Sequence, residues 1–299
     1  MAAQVDRDAV AGVRLAPAPA PRRRPAWRFA RRYPVGAAGA AVIAAMLLAG
    51  LLAPHLAPYD PLATDFSAMF APPGRAHWFG SDAFGRDVLS RILYGARTAM
   101  LVGFGASVLG ATAGAAVGVA SAYFGGLTDL VVQRLVDVLL AFPIIILAMA
   151  IVALIGAGTG NLIVAIALSF LPRAARVVRS SALSVRQMVY IEAARAVGGS
   201  HGHIILRHMA PNVMASYLVM LTAFLGQAIL LEASLSFLGL GVSEPTPAWG
   251  LMLRGAAVDF ATKAPWMAVF PGLAISLAVL AFNVFGDALR DQFDPRLRT

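Results

Sequence analysis

Apolar residues in this chain come in long unbroken runs separated by short polar stretches, not at the period-two spacing of half-buried strands. The first run, Val35 to Ala53, is 19 residues long, enough for a helix to cross the roughly 30 Å of lipid hydrocarbon. Further runs follow at Ala99–Tyr123, about Leu135–Leu154, about Asn161–Leu171, about Val213–Leu231 and about Trp266–Asp287. The pattern predicts six transmembrane helices in an all-α integral membrane protein.

The polar stretches carry their own signals. In Asp87–Arg97, Val88, Leu89, Ile92 and Leu93 share one helical face, with Arg86, Ser90, Arg91 and Arg97 around the other, so this piece is expected to lie flat in the membrane interface. A short loop, Phe124–Asp129, leads to the third run, where Arg134 and Asp137 stand one turn apart and predict a local ion pair. Pro143 is expected to kink that helix. Arg173, Arg176 and Arg179 recur every three residues, so the fourth helix is expected to continue beyond the lipid with its arginines snorkelling. The glycines and prolines of Glu232–Gly250 predict a structured but non-helical connection.

Gly110, Gly114 and Gly118 form a GxxxGxxxG row, which permits close helix–helix approach in lipid. Packing within the chain and packing against a partner both fit that row.

Composition strengthens the membrane reading. Of 299 residues, 59% are hydrophobic and 13% charged, about half the charged share of a soluble surface. Cysteine is absent, which removes disulfides and Cys-based metal sites. The net charge of +9 comes from 23 arginines and one lysine. A basic soluble protein would point to nucleic acid, but these arginines cluster beside the spans. With the N-terminus inside, three quarters of the basic residues fall on one side and only six on the other. The positive-inside rule then puts both termini and the polar stretch at 190–212 in the cytoplasm. Met1–Arg32, with eight arginines and APAPAPRRR at Ala16–Arg24, cannot bury a core and is expected to be disordered or loosely held at the surface. Residues 1–32 are therefore read as a tail, 33–54 as the first membrane helix, 55–96 as an extracytoplasmic loop, 97–287 as a core of five membrane helices, and 288–299 as a cytoplasmic tail.

The longest polar interruption in the second half is Tyr190–Asn212, YIEAARAVGGSHGHIILRHMAPN. It opens as a short helix: Glu192 complements the positive end of the helix dipole, Ala193, Ala194, Arg195 and Ala196 are good helix formers, and Gly198-Gly199 supplies the stop. A second helical piece, Ile204–Met209, is expected to end before Pro211. The result is a helix–glycine–helix elbow between two spans.

Glu192-Ala193-Ala194, then Gly198, then Pro211 resembles the EAA loop of permease subunits in binding-protein-dependent ATP-binding-cassette importers. His208 and Ala210 stand where that pattern has isoleucine and leucine, while the glycine-to-proline spacing is kept. GSDAFGRDVLSRILYGAR (Gly80–Arg97) and APYDP (Ala57–Pro61) resemble the dipeptide/oligopeptide/nickel branch of that family, specifically its C-type permease subunit. The resemblance covers about Val35–Thr299. It implies the type I importer permease fold, with the EAA loop as a cytoplasmic coupling helix docked on an ATPase through Glu192, Ala193, Ala194, Arg195, Gly198 and Pro211. It also implies a homologous B-type permease partner, two ATPase subunits and an extracytoplasmic solute-binding protein, in a bacterial cytoplasmic membrane. ATP and Mg would be bound by the ATPases, with no cofactor in this chain and no enzymatic activity of its own. The implied cargo is dipeptides or oligopeptides, with nickel or another small solute as the alternative.

Other chemistry-bearing motifs are sparse in the sequence. There is no GxxxxGK[ST] or HExxH, so nucleotide and zinc-protease signatures are missing. His201, His203 and His208 lack the carboxylates of a metal-ligand set, and no metal is expected. Gln227, Glu232 and Asn283 are the polar groups near the last two spans, and intramembrane polar residues are candidates for a pathway or gate; at the outer end of its span, Glu232 could equally be solvated or cap the next turn. A secondary transporter would need buried ion or substrate groups in repeated broken helices, and a membrane enzyme a catalytic set; neither stands out.

Overall fold

A computed structural model describes residues 30–260 and 262–293. Most of the N-terminal tail and residues 294–299 of the C-terminal tail, including Arg296 and Arg298, lie outside the described residues. Among the described residues the chain is helical, with no β-strand: α1 Pro34–Leu51, α2 Val88–Phe124, α3 Gly126–Leu140, α4 Ile144–Ile155, α5 Thr159–Arg186, α6 Val189–Ala196, α7 His201–Phe237, α8 Trp249–Asp259 and α9 Trp266–Phe293. Five of these, α1, α2, α5, α7 and α9, are long and apolar enough to cross a membrane, and α3 with α4 makes a sixth if the bent pair counts as one span.

Several boundaries differ from the sequence expectation, each for a local reason. Asp87 caps α2 by accepting from the Ser90 amide at 2.8 Å, so Asp87–Arg97 is the first turns of the second span and not a separate interfacial helix. At 37 residues, α2 is about 55 Å long and overhangs the hydrocarbon. The loop before α3 shrinks to Gly125 (φ 65°). Pro143 does more than kink: with φ fixed and no amide to donate, it becomes the N-cap of α4, and α3 and α4 meet at 95°. Asp137 pairs with Arg176 of α5 and not with Arg134, because α3 lies across α5 and turns its polar face toward it. Asp129, on the same face, receives Arg179 Nε at 2.6 Å. The non-helical connection expected at Glu232–Gly250 begins only at Leu238, because α7 runs on to Phe237, and it ends where α8 starts at Trp249.

The core is organised by α2 and α5. A Cβ on Gly110 would come within 2.7 Å of the Ala167 carbonyl oxygen, one on Gly114 within 2.6 Å of Leu171 O, and one on Gly118 within 2.5 Å of Ala175 O. The glycine row therefore packs against this chain's own α5, backbone on backbone. Phe170 of α5 stacks on Phe224 of α7 at 4.2 Å between ring centroids, and Gly39 of α1 lies against the backbone of Ala281 in α9.

The bundle has two ends. At one, the loop end, the connection before α2 and the first turns of α2 close on the segment from α7 to α9: Trp266 Nε1 donates to Ser81 O and Trp249 Nε1 to Ile92 O, both at 3.0 Å. At the other, α6 and the start of α7 pack beneath the ends of α2 and α5.

Candidate functional site

The elbow is built as the sequence requires at its hinge and differently beyond it. Helix α6 ends in a Schellman motif: Gly198 N–H donates to Arg195 O at 3.0 Å and Gly199 N–H to Ala194 O at 2.9 Å. Gly198 takes φ 80°, the left-handed conformation that glycine adopts without strain. The next helix does not stop before Pro211. Ile204–Met209 is a π-helical stretch, with the Ala210 amide bonded to Ile205 O five residues back. That wider turn absorbs the amide missing at Pro211, so α7 is continuous from His201 to Phe237. The elbow therefore has one joint, Val197–Ser200.

Helix α6 is anchored on one side. Ile191 is fully buried in one cluster with Ile204, Met209 and Val213 of α7, Val119, Ala122 and Tyr123 of α2, and Val178 and Ala182 of α5, with Ala194 packed against that cluster. Burying an isoleucine stabilises by about 1.5–3 kcal/mol, and here one side chain joins four helices. Polar contacts reinforce it. Tyr123 Oη lies 2.7 Å from His201 Nδ1, the Arg195 guanidinium sits over the Tyr123 ring at 4.9 Å, and Arg186 Nη1 donates to Ala122 O at 2.9 Å.

The opposite side is open. Glu192, Ala193 and Gly198 are exposed, Val197 is 85% and Leu206 73% exposed, and nothing lies within 4 Å of a Cβ built on Gly198. Of the six residues predicted for docking, Glu192, Ala193 and Gly198 share this surface, while Arg195 is exposed but reaches back over Tyr123 on the anchored side. Ala194 turns partly inward, and Pro211 is exposed on the next helix. Sequence reasoning missed the anchoring residues Tyr123, Ile191 and His201. The available signal was Ile191 three residues before Ala194, an inward face on a helix that otherwise reads as polar.

The three polar residues near the last spans are not brought together. Gln227 Oε1 accepts from Arg173 Nη1 of α5 at 3.4 Å. Asn283 reaches from α9 toward Gly226, where a Cβ would lie 2.9 Å from its Oδ1. Glu232 is neither solvated nor at a helix end. Because α7 runs on to Phe237, Glu232 is 0% exposed, its Oε1 accepts from Ser236 Oγ at 2.9 Å, and Oε2 has no hydrogen-bond partner. Among the described residues no group of three His, Asp or Glu side chains is placed to hold a metal. The Gly80–Arg97 signature is structural here: Ser81, Asp82 and Asp87 bond the surrounding backbone and cap α2.

Residues 88–299 match the family model described as binding-protein-dependent transport system inner membrane component. Residues 23–73 match that of the N-terminal TM domain of oligopeptide transport permease C. The chain is 42% identical over 274 residues to the glutathione transport system permease protein GsiD of Pectobacterium atrosepticum, covering 91% of each. It is 42% identical over 273 residues to the proteins of that name from Escherichia coli O157:H7 and Shigella boydii, covering 91% of this chain and 90% of each of theirs.

Proposed function

This chain belongs to the family of binding-protein-dependent transport system inner membrane components, and we propose that it is one permease half of an ATP-driven importer of short peptides. It is a multi-pass membrane protein of ABC importer type, and the rest of this reading concerns partners, orientation and cargo. The elbow faces the cytoplasm and docks on an ATPase subunit through Glu192, Ala193, Arg195 and Gly198. A second, B-type permease completes the pathway, and an extracytoplasmic solute-binding protein delivers the cargo. ATP and Mg are handled by the ATPases.

The observation that carries this reading is the asymmetry of α6. One face is fixed by Ile191 and Ala194 to the ends of α2, α5 and α7, and the other is free. A push on the free face moves three spans together, because their ends share one packed cluster. Coupling requires an element that moves as a unit between two arrangements, and this packed link is the candidate. Gln227 and Glu232 on α7 and Asn283 on the neighbouring α9 are the pathway or gate residues of this reading. Peptide cargo is supported by the relatives' glutathione, itself a short peptide. Nickel has no comparable support among the described residues.

The chain has no cysteine, so Arg195→Cys creates a single thiol for labelling. A membrane-impermeant maleimide is expected to modify it in inverted vesicles and not in intact cells, and two ATPase subunits are expected to copurify in mild detergent. Modification from outside the cell would overturn the proposal.

A further inference from the structure

A cavity at the loop end is unused by the coupling scheme. It measures about 580 Å³ and lies between the connection before α2, helix α8 and the start of α9, within the size range of small-molecule sites. Phe84, Leu251, Met252, Phe260 and Met267 form an apolar wall. The charged lining residues are Arg86, Arg91, Arg254, Asp82 and Glu244.

The charges there are unevenly satisfied. Arg86 is covered, its Nε on Asp82 Oδ2 at 2.6 Å and its Nη1 on Glu244 Oε2 at 3.3 Å. Asp82 is already engaged, since its Oδ1 also accepts from the amides of Phe84 at 2.8 Å and Arg86 at 2.9 Å. Arg91 is left short. It is 1% exposed, its Nη1 donates to Pro61 O at 3.2 Å, its Nε has no hydrogen-bond partner, and Asp82 Oδ2 stands 3.8 Å away. Arg254 forms no ion pair or hydrogen bond among the described residues and packs over Gly239, where a Cβ would collide with it.

A buried guanidinium whose nearest carboxylate stands 3.8 Å away and is already engaged elsewhere is costly, and here it shares a cavity with the exposed Arg254. A carboxylate matches the planar donor fork of arginine in charge and shape, and the apolar part of the lining accepts an apolar group. We infer that this cavity binds a small organic carboxylate bearing an apolar side chain, with Arg91 and Arg254 holding the carboxylate. Nothing in this step depends on ATPase coupling, so it stands or falls apart from the importer reading.

The test uses the full chain in lipid nanodiscs without ATPases, titrated calorimetrically with alanyl-phenylalanine and with its C-terminal amide. The acid is expected to bind saturably and the amide at least about tenfold more weakly, the loss of one charge-assisted bond. Because Arg91 substitutions can unfold a buried site, Arg254→Gln is the decisive variant. It is expected to weaken the acid about tenfold with an unchanged melting temperature. Equal binding of acid and amide, wild-type affinity in Arg254→Gln, or no saturable binding of the acid would each overturn the inference.

Discussion

The hydroxyl of Tyr123, in the last turn of α2, lies 2.7 Å from Nδ1 of His201, the first residue of α7. Two residues 78 apart in sequence thus clamp the elbow from above, and the Arg195 guanidinium covers the ring between them.

Tyr123→Phe keeps the ring beneath Arg195 and removes only the hydroxyl. One hydrogen bond contributes about 1 kcal/mol, roughly fivefold in a local opening equilibrium. Hydrogen exchange in Val189–Ala196 is expected to speed up by about that factor while α9 stays unchanged. Unaltered exchange in α6 would mean that the Ile191 cluster alone holds the elbow.

The glycine row permits a paired comparison. A Cβ at Gly114 would lie 2.6 Å from the Leu171 carbonyl oxygen, whereas one at Gly160 meets nothing within 4 Å. Gly114→Ala is expected to destabilise by about 1–3 kcal/mol through overpacking. Gly160→Ala is expected to be neutral or to stabilise by up to about 1 kcal/mol, since alanine restricts the unfolded chain. Thermal unfolding in one detergent decides it, and equal shifts would refute the backbone contact between α2 and α5.

Helix α3 is tied across α5 by Asp129–Arg179 and Asp137–Arg176. Asp129→Asn and Arg179→Met are each expected to cost about 2 kcal/mol, the scale of charged hydrogen bonds. Exchanging the two residues is expected to recover part of that loss, as coupled neighbours do. A double exchange no more stable than the sum of the single changes would show that the pair does not orient α3.

How much of this was legible follows from what each feature depends on. The five long spans were readable because lipid demands long apolar runs, and α6 with its Gly198 stop was readable because capping is local. Asp137 could not be assigned, since Arg134 is its neighbour in sequence but α3 presents it to Arg176. Glu232 was misplaced because the end of α7 depends on packing at Gly241 and Gly250, which touch the α7 backbone at Ser236 and Ala233. The continuity of α7 through Pro211 rests on a π-turn, which leaves little trace in residue type. Tertiary contacts decided each of these, and short-range propensity carries no information about them.

Gly198 separates shape from contact at the elbow. Its φ of 80° means any side chain there pays about 1–2 kcal/mol of backbone strain, with asparagine the best tolerated. That is too little to unfold a bundle this extensive. The space around its Cβ is empty in this chain, so a larger side chain meets nothing of its own. Gly198→Asn is therefore expected to insert and to retain most ATP-driven uptake in proteoliposomes carrying the ATPases. Gly198→Glu is expected to insert and melt like Gly198→Asn yet lose uptake, because its bulk and charge fall on the surface assigned to the ATPase. Near-normal uptake by Gly198→Glu would remove Gly198 from that contact, and equal failure of both variants would assign the effect to the hinge.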